Sequence, residues 1–417
     1  MRIIVQKFGG LLLGSKEGRR RVAERIVQST ADGMHVVAVA SAIGREGDPY
    51  ATDTLMTLLR EAADAAGDAD PRTLDLLLST GELISTALMA HLLVHSGCPA
   101  VALTGAQAGI LTTDEFNDAR ILSIDPTLIR RYLEQGYVPV VAGFQGVTRD
   151  GEITTLGRGG SDTTAVAIGA AVGADLVEIF KDVEGIMTAD PKFVPEARPI
   201  RLITYDEVSQ MAALGARVLH PRAADIGREH DVRLVIKRLG SGNGGTTIVK
   251  GPELGVPIID GRPVIGLAHL PDVVQVRIDR RREDNMERPL VALRTLAEQG
   301  ISIDLISLLP EMLAFTVKEE AVERARNLLS TLGFPVDVSR PCAKVSIIGA
   351  GMRGRPGVMA RVVKALHGAG VEILQTADSH TTISCLVPRA QMEAALRALH
   401  DEFGLAEELA SEKESEG

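Results

Sequence analysis

Hydrophobic positions in the first half of the chain form short runs of Val, Ile and Leu separated by longer amphipathic segments. Short apolar runs are typical of strands buried on both faces, and spacings of three and four residues are typical of covering helices. Strands are predicted at residues 2–6, 35–40, 100–103, 138–142, 176–180 and 233–236, and helices at 16–28, 52–66, 83–95, 162–172 and 206–214. The alternation predicts an α/β fold with a mainly parallel sheet between helix layers.

Turn and cap signals add detail to this pattern. Asp150-Gly151 predicts a hairpin, so an antiparallel ribbon is expected within the α/β region. Thr204 followed by Glu207 has the spacing of a capping box at the start of the last predicted helix. Segments rich in Gly and Pro at residues 240–245 and 251–263 predict a linker or a loose hairpin.

Beyond the linker the chain repeats itself at a spacing of 70 residues. Residues 273–278 align with 343–348, 296–303 with 366–373, 315–317 with 385–387, and 321–332 with 391–402. Each copy reads strand, helix, strand, strand, helix, with a further strand expected, which predicts two ferredoxin-like βαββαβ units. The predicted domains are an α/β domain (1–238), a linker (239–262), two ferredoxin-like domains (263–338 and 339–405) and a disordered tail (406–417).

Composition excludes several other classes of protein. The 417 residues carry a net charge of −10 without a basic, aromatic-rich stripe, which weighs against a nucleic-acid partner. Cys98, Cys342 and Cys385 are odd in number and far apart, so we expect buried thiols rather than disulfides or a metal site. With neither a signal-peptide pattern nor an unbroken apolar run of about 18 residues, a cytoplasmic protein without a membrane partner is expected.

The segment GRGGSDTT at residues 157–164 carries the clearest chemical signal. Its glycines allow sharp turns and close backbone approach to a ligand, and Ser161 is expected to cap the following helix. Exposed amides at a helix start form an anion site. GRGG alone fits equally well a loop that merely turns the chain; the full octapeptide between a ribbon and a helix is more specific.

Two further segments add charged groups. Lys7 precedes Gly9-Gly10 at the end of the first strand, where a lysine can serve phosphate oxygens, although a lone strand-end lysine is usually solvated. Glu82 in STGE is placed at the mouth of a predicted helix, where it also fits an ordinary acid favoured by the helix dipole. The chain lacks the G-x-x-x-x-G-K-[ST] pattern, which excludes a Walker-type phosphate loop.

Taken in order, these motifs resemble the aspartokinase family over nearly the whole chain. The matching segments are KFGG (7–10), SAIG (41–44), GDPYATD (47–53), STGE (79–82), LTGAQAG (103–109), VVAGFQG (140–146), TTLGRGGSDTT (154–164), DVEG (182–185), TADP (188–191) and LGARVLHP (214–221). The repeats resemble that family's tandem ACT domains. AKVS (343–346), GAGMR (349–353) and ILQTADSHTT (373–382) resemble the monofunctional branch that is regulated by diaminopimelate.

The resemblance implies ATP-dependent phosphorylation of the L-aspartate side chain to 4-phospho-L-aspartate, the first step toward lysine, diaminopimelate, threonine and methionine. It implies Mg²⁺ with the nucleotide and no metal bound by the protein alone. The implied catalytic residues are Lys7, Arg158 and Asp162; the substrate contacts are Ser41, Glu82, Arg158, Gly159, Gly160 and Ser161; the nucleotide contacts are Lys7, Phe8, Gly9, Gly10, Lys181, Asp182, Met187, Lys192 and Arg217.

Regulation is the expected role of the repeats. The polar candidates for binding an inhibitory end product, whether diaminopimelate, lysine or threonine, are Asp304, Asp378, Ser379 and His380, although His380 fits an ordinary surface histidine equally well. ACT units expose sheet edges that commonly pair between chains, so a homodimer or higher homo-oligomer is expected.

The sequence also departs from the family's pattern. Leu11-Leu12-Leu13 follow KFGG where the family usually has two hydroxyl residues, and Lys181 stands where a small hydroxyl residue is usual. Met187 replaces a common tyrosine, and Lys237 begins a changed segment. These departures leave open a non-catalytic or substrate-shifted amino-acid-binding protein. Another alternative is an amino-acid kinase acting on glutamate or acetylglutamate, which the tandem repeats and GRGGSDTT disfavour.

Overall fold

The structure, a computed structural model, describes residues 1–62, 69–216, 219–242, 244–251, 263–279, 287–352 and 355–407. The chain forms two compact units. The first comprises Met1–Ile186, Pro199–Ala212 and Arg217–Leu254, and the second comprises Met187–Arg198, Ala213–Ala216 and Gly255–Gly417.

The strands of the first unit are β1 (Ile3–Phe8), β2 (His35–Ala40), β3 (Ala100–Leu103), β4 (Ile110–Thr112), β5 (Ile121–Ile124), β6 (Val138–Ala142), β7 (Gln145–Val147), β8 (Ile153–Thr155), β9 (Leu176–Lys181), β10 (Leu202–Thr204), β11 (Leu234–Arg238) and β12 (Thr246–Val249). The main sheet has the order β10-β12-β11-β9-β1-β2-β6-β3, and only the β11–β12 pair is antiparallel. A second sheet has the order β5-β4-β7-β8. The mainly parallel sheet is confirmed.

The helices of this unit are α1 (Gly10–Gly14), α2 (Lys16–Ala31), α3 (Thr52–Ala62), α4 (Pro71–His95), α5 (Thr127–Glu134), α6 (Gly160–Val172), α7 (Tyr205–Ala213) and α8 (Pro221–Glu229). Helices α2 and α4 pack on the sheet face that carries Ile4 and Phe8. Helix α6 contacts β1, β2 and β9, and α8 packs beside it. Because side chains alternate along a strand, Lys7 points from the opposite face to Phe8, toward α6.

The local signals in this unit are confirmed in part. Strands β2, β3 and β6 have the predicted bounds, β7 and β8 form the hairpin around Gly151, and Thr204 and Glu207 bond reciprocally as a capping box. The end of the helix predicted at 52–66 falls partly outside the described residues. The predicted linker contains β12, which pairs with β11 and whose residues alternate between buried and half-buried in the manner of a strand.

Helix α4 differs most from the prediction, since it begins at Pro71 rather than at residue 83. The Asp70 carboxylate accepts a hydrogen bond from the Thr73 amide and Pro71 occupies the first turn, so the true start carries standard cap chemistry. The helix has the length and apolar character of a membrane span, but half of its apolar window is buried inside the protein. Met89 and Leu93 lie in the main core, so α4 packs as a core helix.

The second unit contains β13 (Gly266–Asp279), β14 (Asp304–Leu308), β15 (Met312–Lys318), β16 (Val336–Val338), β17 (Cys342–Ile348), β18 (Gln375–Asp378) and β19 (Thr382–Pro388), with helices α9 (Glu287–Glu298), α10 (Val322–Thr331), α11 (Val358–Gly368) and α12 (Met392–Glu402). One sheet runs β14-β15-β13-β17-β19-β18, and β16 also pairs with β13. The two-fold repetition of strands and helices is confirmed.

The two copies share β13, which the sequence did not indicate. Val276–Ile278 pair with β16 of the first copy, whereas residues 266–270 pair with β17 of the second. The second copy, predicted at 339–405, therefore takes its last strand from residues 266–270, which lie within the domain predicted at 263–338. An apolar strand can pair wherever its register fits, regardless of chain order. The predicted tail beyond residue 407 lies outside the described residues.

Residues 187–198 also pack in the second unit. Ala189 and Val194 lie in a core with Leu267 and Leu396, and the Leu267 amide donates to the Thr188 carbonyl at 2.7 Å. This segment leaves the first unit after Ile186 and returns to it at Pro199.

Candidate active site

A cavity of about 510 Å³ opens in the first unit at the carboxyl ends of β1 and β2, beside the start of α6. The cavity lining brings together nine of the site residues that were predicted from the sequence: Lys7, Gly10, Ser41, Glu82, Arg158, Gly159, Gly160, Ser161 and Asp162. They come from segments up to about 150 residues apart, and the carboxyl edge of a parallel sheet is where such folds bind ligands.

The turn after β1 requires glycine. A Cβ at Gly10 would lie 2.4 Å from the Ala42 carbonyl oxygen and 2.8 Å from that of Gly44. The Gly10 carbonyl also accepts a hydrogen bond from the Gly44 amide at 3.0 Å. Close packing of two backbones therefore fixes one wall of the cavity.

Helix α6 begins differently from the prediction that Ser161 caps it. The N-cap is Gly159, with φ 73°, and it makes no side-chain capping bond. A Cβ there would lie 2.7 Å from the His220 Cβ, and left-handed backbone strains other residues, so this helix start needs glycine. Ser161 lies in the first turn and lines the cavity.

Asp162 joins two lysines from neighbouring strands. Lys7 Nζ lies 2.8 Å from Asp162 Oδ1, and Lys181 Nζ lies 2.9 Å from Asp162 Oδ2. Burial alone would raise the pKa of the Asp162 carboxyl, but the two lysine charges outweigh burial and lower it below the usual range. Asp162 is therefore an anion that fixes two ammonium groups.

Glu82 is buried within α4, not at a helix mouth, so its predicted position was wrong. Its Oε1 accepts a hydrogen bond from the Ala42 amide at 3.0 Å, and its buried Oε2 has no hydrogen-bond partner among the described residues. Burial raises the pKa of Glu82 to about 8. An orphaned carboxylate oxygen in a cavity wall has the chemistry to receive a cationic group.

Arg158 lies exposed at the cavity and forms no ion pair within the described part of the chain. Its guanidinium can therefore bind a carboxylate through two parallel hydrogen bonds without breaking an existing pair. Ser41 directly follows β2 and contributes a hydroxyl group to the same cavity lining.

The residues predicted to contact the nucleotide are not all in one place. Phe8 is buried and stacks on Phe180, with ring centroids 5.0 Å apart, so its side chain belongs to the core. Asp182 is exposed after β9, and its carbonyl accepts from Arg238 at 2.7 Å. Met187 and Lys192 belong to the second unit, and Arg217 lies outside the described residues. Gly9 N-caps α1.

The residues predicted to bind an effector lie at two positions of the second unit. Asp304 begins β14 and pairs with Lys344 of β17. Asp378, Ser379 and His380 are exposed around the turn between β18 and β19. In this turn the hydroxyl groups of Ser379 and Thr382 are hydrogen-bonded at 2.8 Å. Among the described residues no hydrogen bond links Asp304 to this turn.

Phe144 and Asn117 are among the lining residues that were missed, because their backbone conformation gives no simple sequence signal. Phe144 and Asn117 adopt left-handed backbone with φ 70° and 67°. The Asn117 amide donates to the Asp75 carboxylate at 3.0 Å, and the Thr155 amide donates to the same group at 2.8 Å. Asp75 is fully buried in α4 and thus holds two walls of the cavity.

The unusual leucines do not fill the cavity. Leu11 is 51% exposed, Leu13 is fully buried in the main core, and Leu12 packs partly against that core. None of the three is part of the cavity lining. Helix α1 turns these side chains away from the space that Lys7 and Arg158 face.

Comparison with known proteins agrees with the geometry. Residues 2–238 match the amino acid kinase family and residues 337–401 match an ACT domain. Aspartokinase 1 of Bacillus subtilis is 42% identical over 97% of this chain and 100% of its own length. Crystal structures of Escherichia coli aspartokinase III, with aspartate and ADP (R-state) or with lysine and aspartate (T-state), each superpose with a TM-score of 0.74 at 25% identity, covering 96% of this chain and 99% of theirs.

Proposed function

The chain belongs to the aspartokinase family, and from that premise we propose that its cavity binds L-aspartate and directs the side-chain carboxylate to the γ-phosphoryl group of ATP. The protein is an ATP-dependent aspartate kinase with an ACT-type regulatory region. The observation that supports the assigned site is the convergence of Arg158, the orphaned Glu82 oxygen and the Lys7–Asp162 pair on one cavity.

Recognition of the amino acid rests on opposite charges at the two ends of the cavity. Arg158 binds the α-carboxylate, Glu82 accepts from the α-ammonium, and Ser41 adds a hydrogen bond nearby. The backbone of Gly159, Gly160 and Ser161 borders the bound substrate. An acylated amine would leave Glu82 unpaired in a buried site, so this geometry favours a free amino acid over acetylglutamate.

Phosphoryl transfer to a carboxylate needs no strong base, because the nucleophile is already ionised. The protein must hold two anions together and neutralise charge on the transferred group. Lys7, oriented by Asp162, supplies the cation on the side of the amino acid, and the positive end of the α6 dipole faces the same space.

Mg²⁺ is proposed as a companion of the nucleotide phosphates. Asp162, one of two buried acids that line the cavity, is paired with two lysines, and no cluster of three His, Cys, Asp or Glu side chains occurs within the described part of the chain. A donor set of this kind does not fit a resident metal, whereas Mg²⁺ commonly binds largely through substrate phosphates. We therefore assign the ion to the Mg·ATP substrate.

Hydroxylamine trapping of the acyl phosphate tests the reaction. The native protein with ATP and aspartate should form the hydroxamate, and glutamate or N-acetylglutamate should give no signal above the blank. Arg158→Ala should raise the KM for aspartate about 10- to 100-fold, the loss expected for a charged hydrogen bond. Arg149→Ala, in the exposed hairpin turn, is the matched control. An unchanged KM in Arg158→Ala would refute its role.

Feedback control is proposed to act through an end product bound at the ACT repeats, with Asp304 and the 378–380 turn as candidate contacts. Resemblance of the second repeat to the diaminopimelate-regulated, monofunctional branch supports diaminopimelate first, with lysine and threonine next. Calorimetry with each of the three amino acids tests this. If every titration gives only the heat of dilution, the sensor role is rejected. A cytoplasmic location is part of the same proposal.

A homodimer is proposed to form through the edge of the second unit's sheet. Edge strand β14 and the turn after it expose Ile306 (52%), Leu308 (41%) and Leu309 (50%), which form an apolar strip at this edge of the sheet. Light scattering should give twice the chain mass for the native protein and a lower mass for Leu308→Lys.

A further inference from the structure

Asn117 contributes a buried acceptor atom to the cavity that is proposed to bind aspartate. Its side-chain Oδ1 is shielded from solvent and has no hydrogen-bond partner among the described residues. Glu82 Oε2 is a second buried acceptor of the same lining that has no partner in the described part of the chain. Because a buried acceptor without a donor costs free energy, we expect a bound ligand to supply donors to both atoms.

The backbone of Asn117 is held close to the segment that carries Arg158. The Asn117 amide donates to both oxygens of the buried Asp75 carboxylate, at 3.0 and 3.1 Å. A Cβ at Gly157 would lie 2.9 Å from the Asn117 carbonyl oxygen, so the two backbone segments are in close contact. The fold therefore fixes Asn117 beside the residue that precedes the arginine proposed to bind the α-carboxylate.

The chemistry of aspartate decides which of its groups can serve Asn117 Oδ1. Both ionised carboxylates are acceptors only, so the α-ammonium group is the donor that aspartate offers. This group is bonded to the same carbon as the α-carboxylate, and a side chain close to the Arg158 segment can therefore reach it. An ammonium group has three N–H donors. Glu82 Oε2 takes one of them, which leaves a second for Asn117.

We propose that Asn117 is a further substrate-binding residue, whose Oδ1 accepts a hydrogen bond from the α-ammonium group that Glu82 also binds. Together the two residues make the cavity selective for an amino acid over a plain dicarboxylate of the same length. A ligand without the ammonium group would leave both buried acceptors unpaired. This inference rests on the proposed aspartate site and adds to it a neutral contact that the sequence did not indicate.

Asn117→Gly tests the proposal, because a φ of 67° suits glycine and the substitution removes the side chain without backbone strain. Calorimetry should show aspartate affinity about 10- to 100-fold weaker, as expected for a lost hydrogen bond to a charged group. Succinate has both carboxylates of aspartate but no ammonium group, so its affinity should stay within about twofold of native. Asp231→Gly is the matched control. Asp231 has φ 51°, is exposed and lies outside the cavity lining, so this variant should bind both ligands as the native protein does.

Either of two results with Asn117→Gly would overturn the inference. Aspartate affinity within about twofold of native would remove the contact. An equal loss for aspartate and succinate would indicate that Asn117 serves the carboxylates or maintains the Arg158 segment, and not the ammonium group.

A second variant covers the case in which Asn117→Gly fails to fold. Asn117→Asp keeps the shape of the side chain and its acceptor while it adds a negative charge. Succinate should then lose affinity by a larger factor than aspartate, because only aspartate brings a positive charge to the new carboxylate. Equal changes for the two ligands would likewise reject the proposal.

The same measurements separate this inference from the proposed function. Hydroxamate formation by native protein, together with normal aspartate binding by Asn117→Gly, would retain the kinase assignment and reject the role of Asn117. Absence of hydroxamate from native protein, with aspartate binding that depends on Asn117, would reject the kinase reaction and support the ammonium contact.

Discussion

Glu82 Oε1 accepts a hydrogen bond from the Ala42 amide at 3.0 Å, whereas Oε2 of the same carboxyl is buried and has no partner in the part of the chain that the structure describes. The Ala42 bond favours the charged form of the carboxyl, but burial opposes it more strongly and raises the pKa of Glu82 to about 8. At pH 7 this pKa keeps Glu82 mostly protonated, and pairing with a ligand ammonium group requires its ionisation.

Aspartate binding should consequently release a proton at neutral pH. With a pKa of about 8, about 0.9 proton should be released per aspartate at pH 7, and affinity should rise about tenfold per pH unit from pH 6 toward 8 before levelling off. Calorimetry at pH 7 in phosphate and in Tris, which differ in ionisation enthalpy, measures the release.

Glu82→Gln should abolish this proton release and weaken aspartate binding, because glutamine keeps the shape but cannot ionise. Glu24→Gln on the exposed face of α2 provides the control and should behave as native. Identical binding enthalpies in the two buffers for the native protein would contradict the assignment of Glu82 to the ammonium group.

Gly10 and Gly14, at the two ends of α1, offer a matched pair for the turn beside the cavity. Alanine at Gly10 would place a Cβ 2.4 Å from the Ala42 carbonyl oxygen, so one backbone must move. At Gly14 the nearest atom is 3.5 Å away, which is ordinary contact. We expect Gly10→Ala to lower kcat/KM at least about tenfold, the effect of a small misplacement of reacting groups, and Gly14→Ala to leave it within about twofold. Equal effects of the two substitutions would show that this turn does not shape the site.

Leu11 and Leu12 replace residues that usually bear hydroxyl groups in this family, and the sequence alone suggested a loss of turnover. Because neither side chain lines the cavity, the double change Leu11→Thr, Leu12→Ser should alter kcat less than about threefold. Leu12 packs partly on the core, so the same change should lower the free energy of unfolding by about 1–2 kcal/mol.

Steady-state kinetics and thermal melts of this double variant are compared with those of Leu11→Thr alone, which should retain native stability because Leu11 is half exposed. A rise in kcat beyond about tenfold would mean that hydroxyl groups on α1 reach the substrates and that the leucines limit the native enzyme.

The sequence predicted those parts of the fold that are specified locally. Strands β2 and β6 consist mostly of Val and Ala and are buried on both faces, and their bounds agree with the apolar runs. The cavity residues were found because glycines, a lysine and an arginine stand at strand and helix ends, where a parallel sheet gathers them. The sequence indicated Glu82 as a site residue, and Glu82 does line the cavity. It lies inside α4 rather than at the start of a helix, because the helix cap at Asp70 was not recognised.

Other features depend on long-range pairing and could not be read from local pattern. The division of β13 between two repeats follows from which strand each half meets, and the sequence records only that both halves are apolar. The Lys181–Asp162 pair likewise depends on the register of β9 against β1. Asn117 is placed by a buried carboxylate 42 residues away. The role of such residues can be identified only from the folded structure.

His400 on α12 is fully buried, and its Nε2 lies 3.0 Å from the Thr188 hydroxyl, which also accepts from the Arg198 amide. Burial lowers the pKa of His400, although the negative charges of Asp401 and Glu196 act in the opposite direction. As pH falls, the imidazole is therefore protonated in the unfolded chain before it is protonated in the folded protein. The packing of residues 187–198 should therefore be unaffected by His400 above about pH 6.5 and should weaken below it.

Hydrogen exchange of this segment, corrected for the intrinsic rate, should show faster opening at pH 5.5 than at pH 7.5 in native protein and in His367→Gln, an exposed histidine of the same unit. In His400→Gln, which keeps a polar group but does not titrate, the difference should disappear. An equal pH dependence in His400→Gln would assign the effect to another group, because only the loss of the buried imidazole separates that variant from the native chain.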